Sequence, residues 1–329
     1  MPQLARSIAA SSRMTDMASS TTPRLVTVFG GGGFIGRYVV EALLKAGARV
    51  RVAERDPRKA WYLQPLGSVG QFAAVAADLR RPETVRRALE GANAVINLVG
   101  VFDGDLDAIH VEGAKHAAAE AAATGASAFV QVSAIGADQA SESNYGRTKG
   151  LGEQAVRDAF PNATIIRPSV VFGPEDEFTN RFASIARFPF LPVIAPDRNF
   201  QPLFARDLGR AIAAAALDPK AHGGKTYELA GPDVMSMRDI NRRVAEMAGH
   251  RPEIVDVPDF AANGLSMLGF LPGAPLTRDQ WIMLQKDNVA SGSLPGFKDF
   301  GIVPTSLDAA APEWLGRFRK GGRFAPRAT

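Results

Sequence analysis

A chain of 329 residues is long enough for one large or two modest domains, and its 46% apolar and 22% charged residues match an ordinary globular protein, which excludes a disordered or membrane-embedded body. The absence of cysteine removes disulfides, thiolate metal sites and thiol nucleophiles together, and the four histidines, His110, His116, His222 and His250, lack metal-ligand spacing, so no metal is expected. A net charge of +4 and a pI near 9.5 suit an anionic cofactor, an anionic membrane surface or acidic protein partners, whereas the basic patch with interleaved aromatics that nucleic acid requires is not visible.

Residues 1–23 are rich in Ser, Thr and Ala, with Arg6, Arg13 and a single acid, a composition like that of an organellar presequence. Met14 and Met17 offer alternative starts, and the tail is expected to be disordered. From Arg24 to about Arg167, short β-branched runs alternate with longer Ala-rich patterns that place apolar residues at three- and four-residue intervals. Strands are predicted at Leu25 to Phe29, Arg49 to Ala53, Phe72 to Ala76, Ala94 to Leu98, Ala128 to Val132 and Thr164 to Arg167. Helices are predicted at Ile35 to Ala46, Pro82 to Glu90, Leu106 to Thr124 and Tyr145 to Phe160. The alternation predicts an α/β protein with a Rossmann-type doubly wound parallel sheet over residues 24–168.

After Arg167, Pro and Gly cluster in PSVVFGPEDEF, FPFLPVIAPD and QPLF, and the periodicity loosens. Residues 169–329 are expected to form a smaller α+β C-terminal domain for substrate or partner, with room for strands to return to the sheet. It should contain a strand at Thr226 to Leu229, a helix opened by the capping-type sequence at Ser236 and running to about Ala248, and a last helix starting near Ser306. Asp259 to Leu271 is an uncommonly apolar stretch, followed by Pro272, Pro275 and a second capping sequence at Thr277 that leads to Trp281. It either packs into the core or lids the cleft, or it forms a docking surface. No apolar run reaches the roughly 18 residues needed to span a bilayer.

The run Gly30-Gly31-Gly32-Gly33-Phe34-Ile35-Gly36 follows a strand and opens a helix, as a dinucleotide fingerprint requires. Glycines let the backbone turn tightly against a pyrophosphate, and the helix N-terminus supplies N–H groups and positive potential. At the end of the second strand, Glu54 is the acid that holds an NAD ribose, whereas Arg55, Arg58 and Lys59 suit the 2′-phosphate of NADP. NADPH is the expected cofactor, with NADH open. The expected contacts are Gly30, Gly32, Gly33, Phe34, Ile35, Gly36, Arg55, Asp78, Leu79, Leu98, Val99, Gly100, Lys149 and Pro168, with Asp78 bordering the adenine.

Tyr145 and Lys149, four residues apart on one helix face, can act as a phenol acid-base and the ammonium that tunes it, with Ser133 at a strand end to hold a substrate carbonyl.

GGGGFIGRYV, INLVG, VSAIGA, YGRTK, IIRPSVVFGPED, QPLFARDLGRAI and KTYELAGPDVMSMRDI together resemble the extended or atypical short-chain dehydrogenases over nearly the whole chain. Against that family, His110 stands where a structural asparagine is usual, and the interval from Ser133 to Tyr145 is shorter than in most active members. WYLQPLGSVGQ, INLVG, EQAVRDAFPNATIIRPSVVFGPEDEFTNRFASIARF, PLTRDQWIML and LPGFKDFGI are similar to the NADPH-binding accessory subunits of respiratory complex I and their bacterial relatives. That resemblance implies a tightly held nucleotide serving structure and assembly, complex I subunits or another membrane-proximal protein as partner, and a cytoplasmic location or a peripheral one on the inner face of the respiratory membrane. By position it assigns Gly30, Gly33, Gly36, Arg55 and Lys149 to the cofactor. An active NAD(P)-dependent reductase or epimerase using Ser133, Tyr145 and Lys149, including a quinone-related reductase, and an NADP(H) redox sensor are the alternatives.

Overall fold

Residues 24–269 and 276–322 are described by a computed structural model. The tail 1–23, and Phe270, Leu271, Pro272 and Pro275 of the apolar stretch, lie outside the described residues. In β1 (Leu25–Phe29) the side chains of Val26 and Val28 are buried on one face and those of Thr27 and Phe29 on the other, so the strand has to be covered on both sides. β2 (Arg49–Glu54), β3 (Phe72–Ala76), β4 (Ala94–Asn97), β5 (Ala128–Val132) and β6 (Thr164–Pro168) join it in a parallel sheet of seven strands. The seventh is Thr226–Leu229, which pairs with β6. The order, from Thr226–Leu229 through β6, β5, β4, β1 and β2 to β3, reverses its progression between β1 and β4, which is the Rossmann arrangement the alternation predicted.

Helix α1 (Phe34–Lys45) and the helix Ala205–Leu217 cover the face of Val26 and Val28. α2 (Pro82–Leu89), α3 (Ala114–Ala123) and α4 (Asn144–Ala159) cover the face of Phe29. Val39 and Val40 are fully buried in α1. Burial of each is worth roughly 1.5–3 kcal/mol, against a helix-propensity cost of at most about 0.7 kcal/mol, so packing decides the helix.

Two elements differ from the expectation. The helix expected from Leu106 begins as a π-turn, Asp107–Gly113, before α3; its wide turn puts the His110 ring against helix α4, where the His110 carbonyl lies 2.1 Å from the place a Cβ on Gly152 would take. The strand Thr226–Leu229 lies where it was expected and returns to the sheet as its edge, where Tyr227 and Leu229 bury completely. The helix expected near Ser306 is split into Leu307–Ala310 and Pro312–Leu315, since Pro312 donates no backbone hydrogen bond.

Beyond the sheet, Phe172, Leu191, Val193, Ile240, Val244 and Trp314 belong to a separate apolar cluster. The helix Met237–Met247 starts at Ser236, whose hydroxyl accepts from the Asp239 N–H as its capping sequence predicts. Asp259–Met267 is a helix that turns Ala262 inward against Leu276 and Trp281. Its large apolar residues face outward: Phe260 is 80% exposed, and Leu265 and Met267 are exposed with the adjoining Leu268.

Candidate nucleotide-binding and active site

The glycine run sits at the carboxyl ends of β1 and β4, the crevice where the sheet order reverses. Gly30 has a φ of +76°, a conformation that a side chain disfavours, and its carbonyl accepts from the Gly33 N–H at 3.1 Å. A Cβ on Gly36 would lie 2.5 Å from the carbonyl oxygens of both Gly30 and Gly31, so only glycine lets α1 start this close to the strand. Gly33 is the N-cap of α1, makes no side-chain cap, and is followed by no acid in the first turn. A Cβ there would meet only the Gly30 carbonyl, at 3.3 Å. The helix start therefore presents uncapped N–H groups in a place with room for an anion. Opposite, Val99 packs against Gly30, and its N–H donates to the Asn97 side chain, which in turn donates to Gln131.

Arg37 strengthens this fit. It is a cation in the first turn of α1, at the positive end of the helix, with its Nε buried and without a partner among the described residues. Its guanidinium pairs with Glu175 at 2.6 Å and lies 5.0 Å over the ring of Tyr62, whose hydroxyl donates to the Gly32 carbonyl. The Gly32 N–H donates to the Glu54 carboxylate at 2.8 Å. Past Glu54, Arg55, Arg58 and Lys59 are exposed, and Arg58 is drawn onto Asp56. Asp78 is bound by Arg80 at 2.6 Å, which, helped by Arg55, holds its carboxyl down at about 2. Leu79 is buried beside it. The sequence did not single out Arg37, Tyr62 or Glu175, although each lies in a block that carried the resemblance, and the 3-10 segment Pro57–Leu66, which holds Tyr62, closes over Gly32.

On the other side of the crevice, Lys149 Nζ donates to the Val132 carbonyl at 3.1 Å, next to Ser133, and lies 3.3 Å from where a Cβ on Gly100 would stand. Desolvation lowers Lys149 to about 8. The Lys149 ammonium is 5.8 Å from the centre of the Tyr145 ring, and burial pushes the Tyr145 phenol up to about 12, so at neutral pH it can give a proton but not take one. Phe102 stacks on Tyr145 with centroids 4.6 Å apart, and His110 meets the ring edge-on. Ser133 Oγ is buried and has no hydrogen-bond partner among the described residues. The backbone thus brings Ser133, Lys149 and Gly100 together, with Tyr145 beside Lys149. Pro168 closes β6, and its carbonyl accepts from the Ile135 N–H in the loop after Ser133.

His110 is fixed as the neutral Nδ1–H tautomer. Its Nε2 accepts from the Val101 N–H at 3.0 Å, which leaves Nδ1–H to donate to the Thr148 hydroxyl, itself a donor to the Tyr145 carbonyl. Desolvation, reinforced by Lys149, lowers this histidine to about 3.

A crevice of this geometry in this sheet order binds a dinucleotide, and comparison with known proteins agrees. Residues 30–182 match a family described as NAD(P)H-binding. The chain is 34% identical to the NADH dehydrogenase (ubiquinone) 1 alpha subcomplex subunit 9 of Arabidopsis thaliana mitochondria, over 92% of this chain and 80% of that protein. It belongs to the NAD(P)H-binding, short-chain-dehydrogenase-like family that includes these complex I subunits. Within that reach it is also 32% identical to a ceramide reductase of Caulobacter vibrioides, over 71% of this chain and 74% of that protein. Its fold superposes with a TM-score of 0.71 on an NADPH-dependent quinone oxidoreductase of Escherichia coli complexed with NADPH, at 20% identity over 88% of this chain and 99% of that one.

Proposed function

We propose that the chain binds NADPH in this crevice and serves a structural or assembly role at the respiratory NADH:quinone oxidoreductase, attached to the inner face of the membrane through a partner subunit. The observation that carries the respiratory role is the reach of the similarity, over 92% of the chain and well beyond the residues that line the crevice. No helix among the described residues is long and apolar enough to cross a membrane, and the outward face of Phe260, Leu265, Met267 and Leu268 offers a protein partner a surface. Gly30, Gly32, Gly33, Phe34, Ile35 and Gly36 would hold the pyrophosphate, Arg55 with Lys59 the 2′-phosphate, and Asp78 with Leu79 the adenine side. Leu98, Val99, Gly100, Lys149 and Pro168 would line the nicotinamide end. Purification from the source membrane without detergent stripping tests this: the protein should co-migrate with the other oxidoreductase subunits and release NADPH on denaturation. Migration alone, or release of no nucleotide, would count against it.

A second reading, an active NADPH-dependent reductase, draws support from Ser133 Oγ, a buried hydroxyl that a substrate oxygen would satisfy. Bound there, reduced nicotinamide supplies a hydride. Tyr145 would give the proton, and Lys149 would hold the ribose and keep the phenol's hydrogen bond directed. NADPH consumption with a panel of apolar carbonyl and quinone acceptors tests this reading, with Tyr145→Phe as the control that should abolish it.

A further inference from the structure

The start of α4, the helix that carries Tyr145 and Lys149, is held by a residue from far along the chain. The Asp279 carboxylate accepts three hydrogen bonds there: Oδ1 from the Asn144 N–H at 2.6 Å, and Oδ2 from the Tyr145 N–H and the Ser143 hydroxyl, each at 3.0 Å. Ser143 is the N-cap of α4 and accepts from the Gly146 N–H, so its single hydroxyl hydrogen is free for Asp279. Asp279 also belongs to the first turn of its own helix, Arg278–Met283, which Thr277 and Gln280 open with a capping box. One carboxylate therefore lies between two helix N-termini, and both favour a negative charge. An asparagine offers one acceptor to three converging donors and cannot replace it fully.

Further into α4 the helix is tied to the sheet side, through Thr148 to His110 and through Lys149 to the Val132 carbonyl. Tyr145 and Lys149 are thus set between an anchor on β5 and an anchor on Asp279. The helix that supplies Asp279 is not isolated: Trp281 packs with Leu276 against Ala262, and Arg278 hydrogen-bonds Asn263, both in Asp259–Met267.

We infer that Asp279 is a positioning residue for the nucleotide site, which sets the first turn of α4 so that Lys149 meets the nicotinamide ribose and couples that site to the helix pair Asp259–Met267 and Arg278–Met283. The inference rests on the nucleotide reading above. Coupling of this kind is reciprocal: if the helix pair shapes nucleotide affinity, bound nucleotide steadies the helix pair to the same degree.

The full chain, Asp279→Asn and Asp279→Ala are compared by calorimetry with NADPH, by the fluorescence of bound NADPH and by amide hydrogen exchange with and without it. In the unaltered protein, NADPH should slow exchange over residues 143–149 and also over 277–284. Asp279→Ala should weaken NADPH binding about tenfold, the scale of one charge-assisted hydrogen bond lost from a positioned group. It should also shift the fluorescence of the bound nicotinamide and erase the protection of 277–284. Asp279→Asn should fall between. A lower melting temperature with unchanged NADPH affinity and fluorescence would show a merely structural strut and overturn the inference. NADPH binding to the unaltered protein without any protection of 277–284 would overturn it as well, and needs no variant to fold. If the unaltered protein bound no NADPH at all, the nucleotide reading would fall first and take the inference with it.

Discussion

Gly33 and Gly36 stand three residues apart in one turn, yet the two positions answer to different demands. A side chain at Gly36 collides with two backbone carbonyls at 2.5 Å, neither of which can move without breaking the turn. Gly36→Ala is therefore expected to cost at least about 2–3 kcal/mol of stability, as overpacked sites do, with loss of nucleotide binding following from the damaged fold. At Gly33 a side chain meets only one carbonyl at 3.3 Å and otherwise the space in front of the helix end. Gly33→Val should keep a native circular dichroism spectrum and melting temperature and still lose NADPH, because the branched chain would fill the space proposed for the pyrophosphate. A folded Gly33→Val protein with normal affinity would put the phosphate elsewhere. The choice between NADPH and NADH also belongs to single residues. Glu54 is engaged with the Gly32 N–H, while Arg55 is exposed at the strand end. Arg55→Ala should weaken NADPH by roughly 1.5–3 kcal/mol, the range for a hydrogen bond to a charged group, and leave NADH nearly unchanged. Equal losses for the two nucleotides by calorimetry would remove Arg55 from the 2′-phosphate.

The π-turn Asp107–Gly113 shows what an element can do that its residues taken singly cannot. By widening one turn it carries His110 into the interior, where the ring serves both the Val101 N–H and the Thr148 hydroxyl as a neutral group. Its folded pKa of about 3 lies below the ordinary 6.5, so the unfolded chain binds a proton that the folded one refuses. The contribution is complete above pH 6.5 and is lost as pH falls from there towards about 3, at roughly 1.4 kcal/mol for each unit crossed. Urea unfolding at pH 7 and pH 5 should show a loss of about 2 kcal/mol in the unaltered protein that is absent in His110→Asn, a variant that can still accept and donate. Parallel pH dependence in both would mean that His110 is not the group responsible. The elements that sequence foretold and those it did not divide along the same line. The strand Leu25–Phe29 and the helix after it announce themselves by local periodicity and by the glycines between them. The π-turn and the grip of Asp279 on α4 depend on pairs of segments far apart in the chain, and no local pattern encodes them. The site divides likewise: Gly33 and the Tyr145–Lys149 pair were legible as motifs, whereas Arg37 over Tyr62 and Phe102 over Tyr145 are meetings of separate elements.

At the scale of the whole molecule, the sheet with its crevice and the helix pair at Asp259–Met267 and Arg278–Met283 bear on different partners. The crevice gathers positive ends and cations suited to a nucleotide. The helix Asp259–Met267 instead hides its small residues, Ala262 and Ser266, and presents Phe260, Leu265 and Met267, the reverse of what an isolated globular surface would select. A side chain as large as phenylalanine left 80% exposed contributes little to folding but a substantial apolar area to an interface. Phe260→Glu with Leu265→Glu should therefore leave the melting temperature and NADPH affinity within error of the unaltered protein, because neither side chain joins a core cluster among the described residues. The same pair should release the protein from the oxidoreductase-containing fraction of membranes, and washing with high salt should not mimic the effect, since an apolar contact is not screened. If the double variant instead unfolds or loses nucleotide while staying attached, the helix is part of the protein's own packing and the partner binds elsewhere.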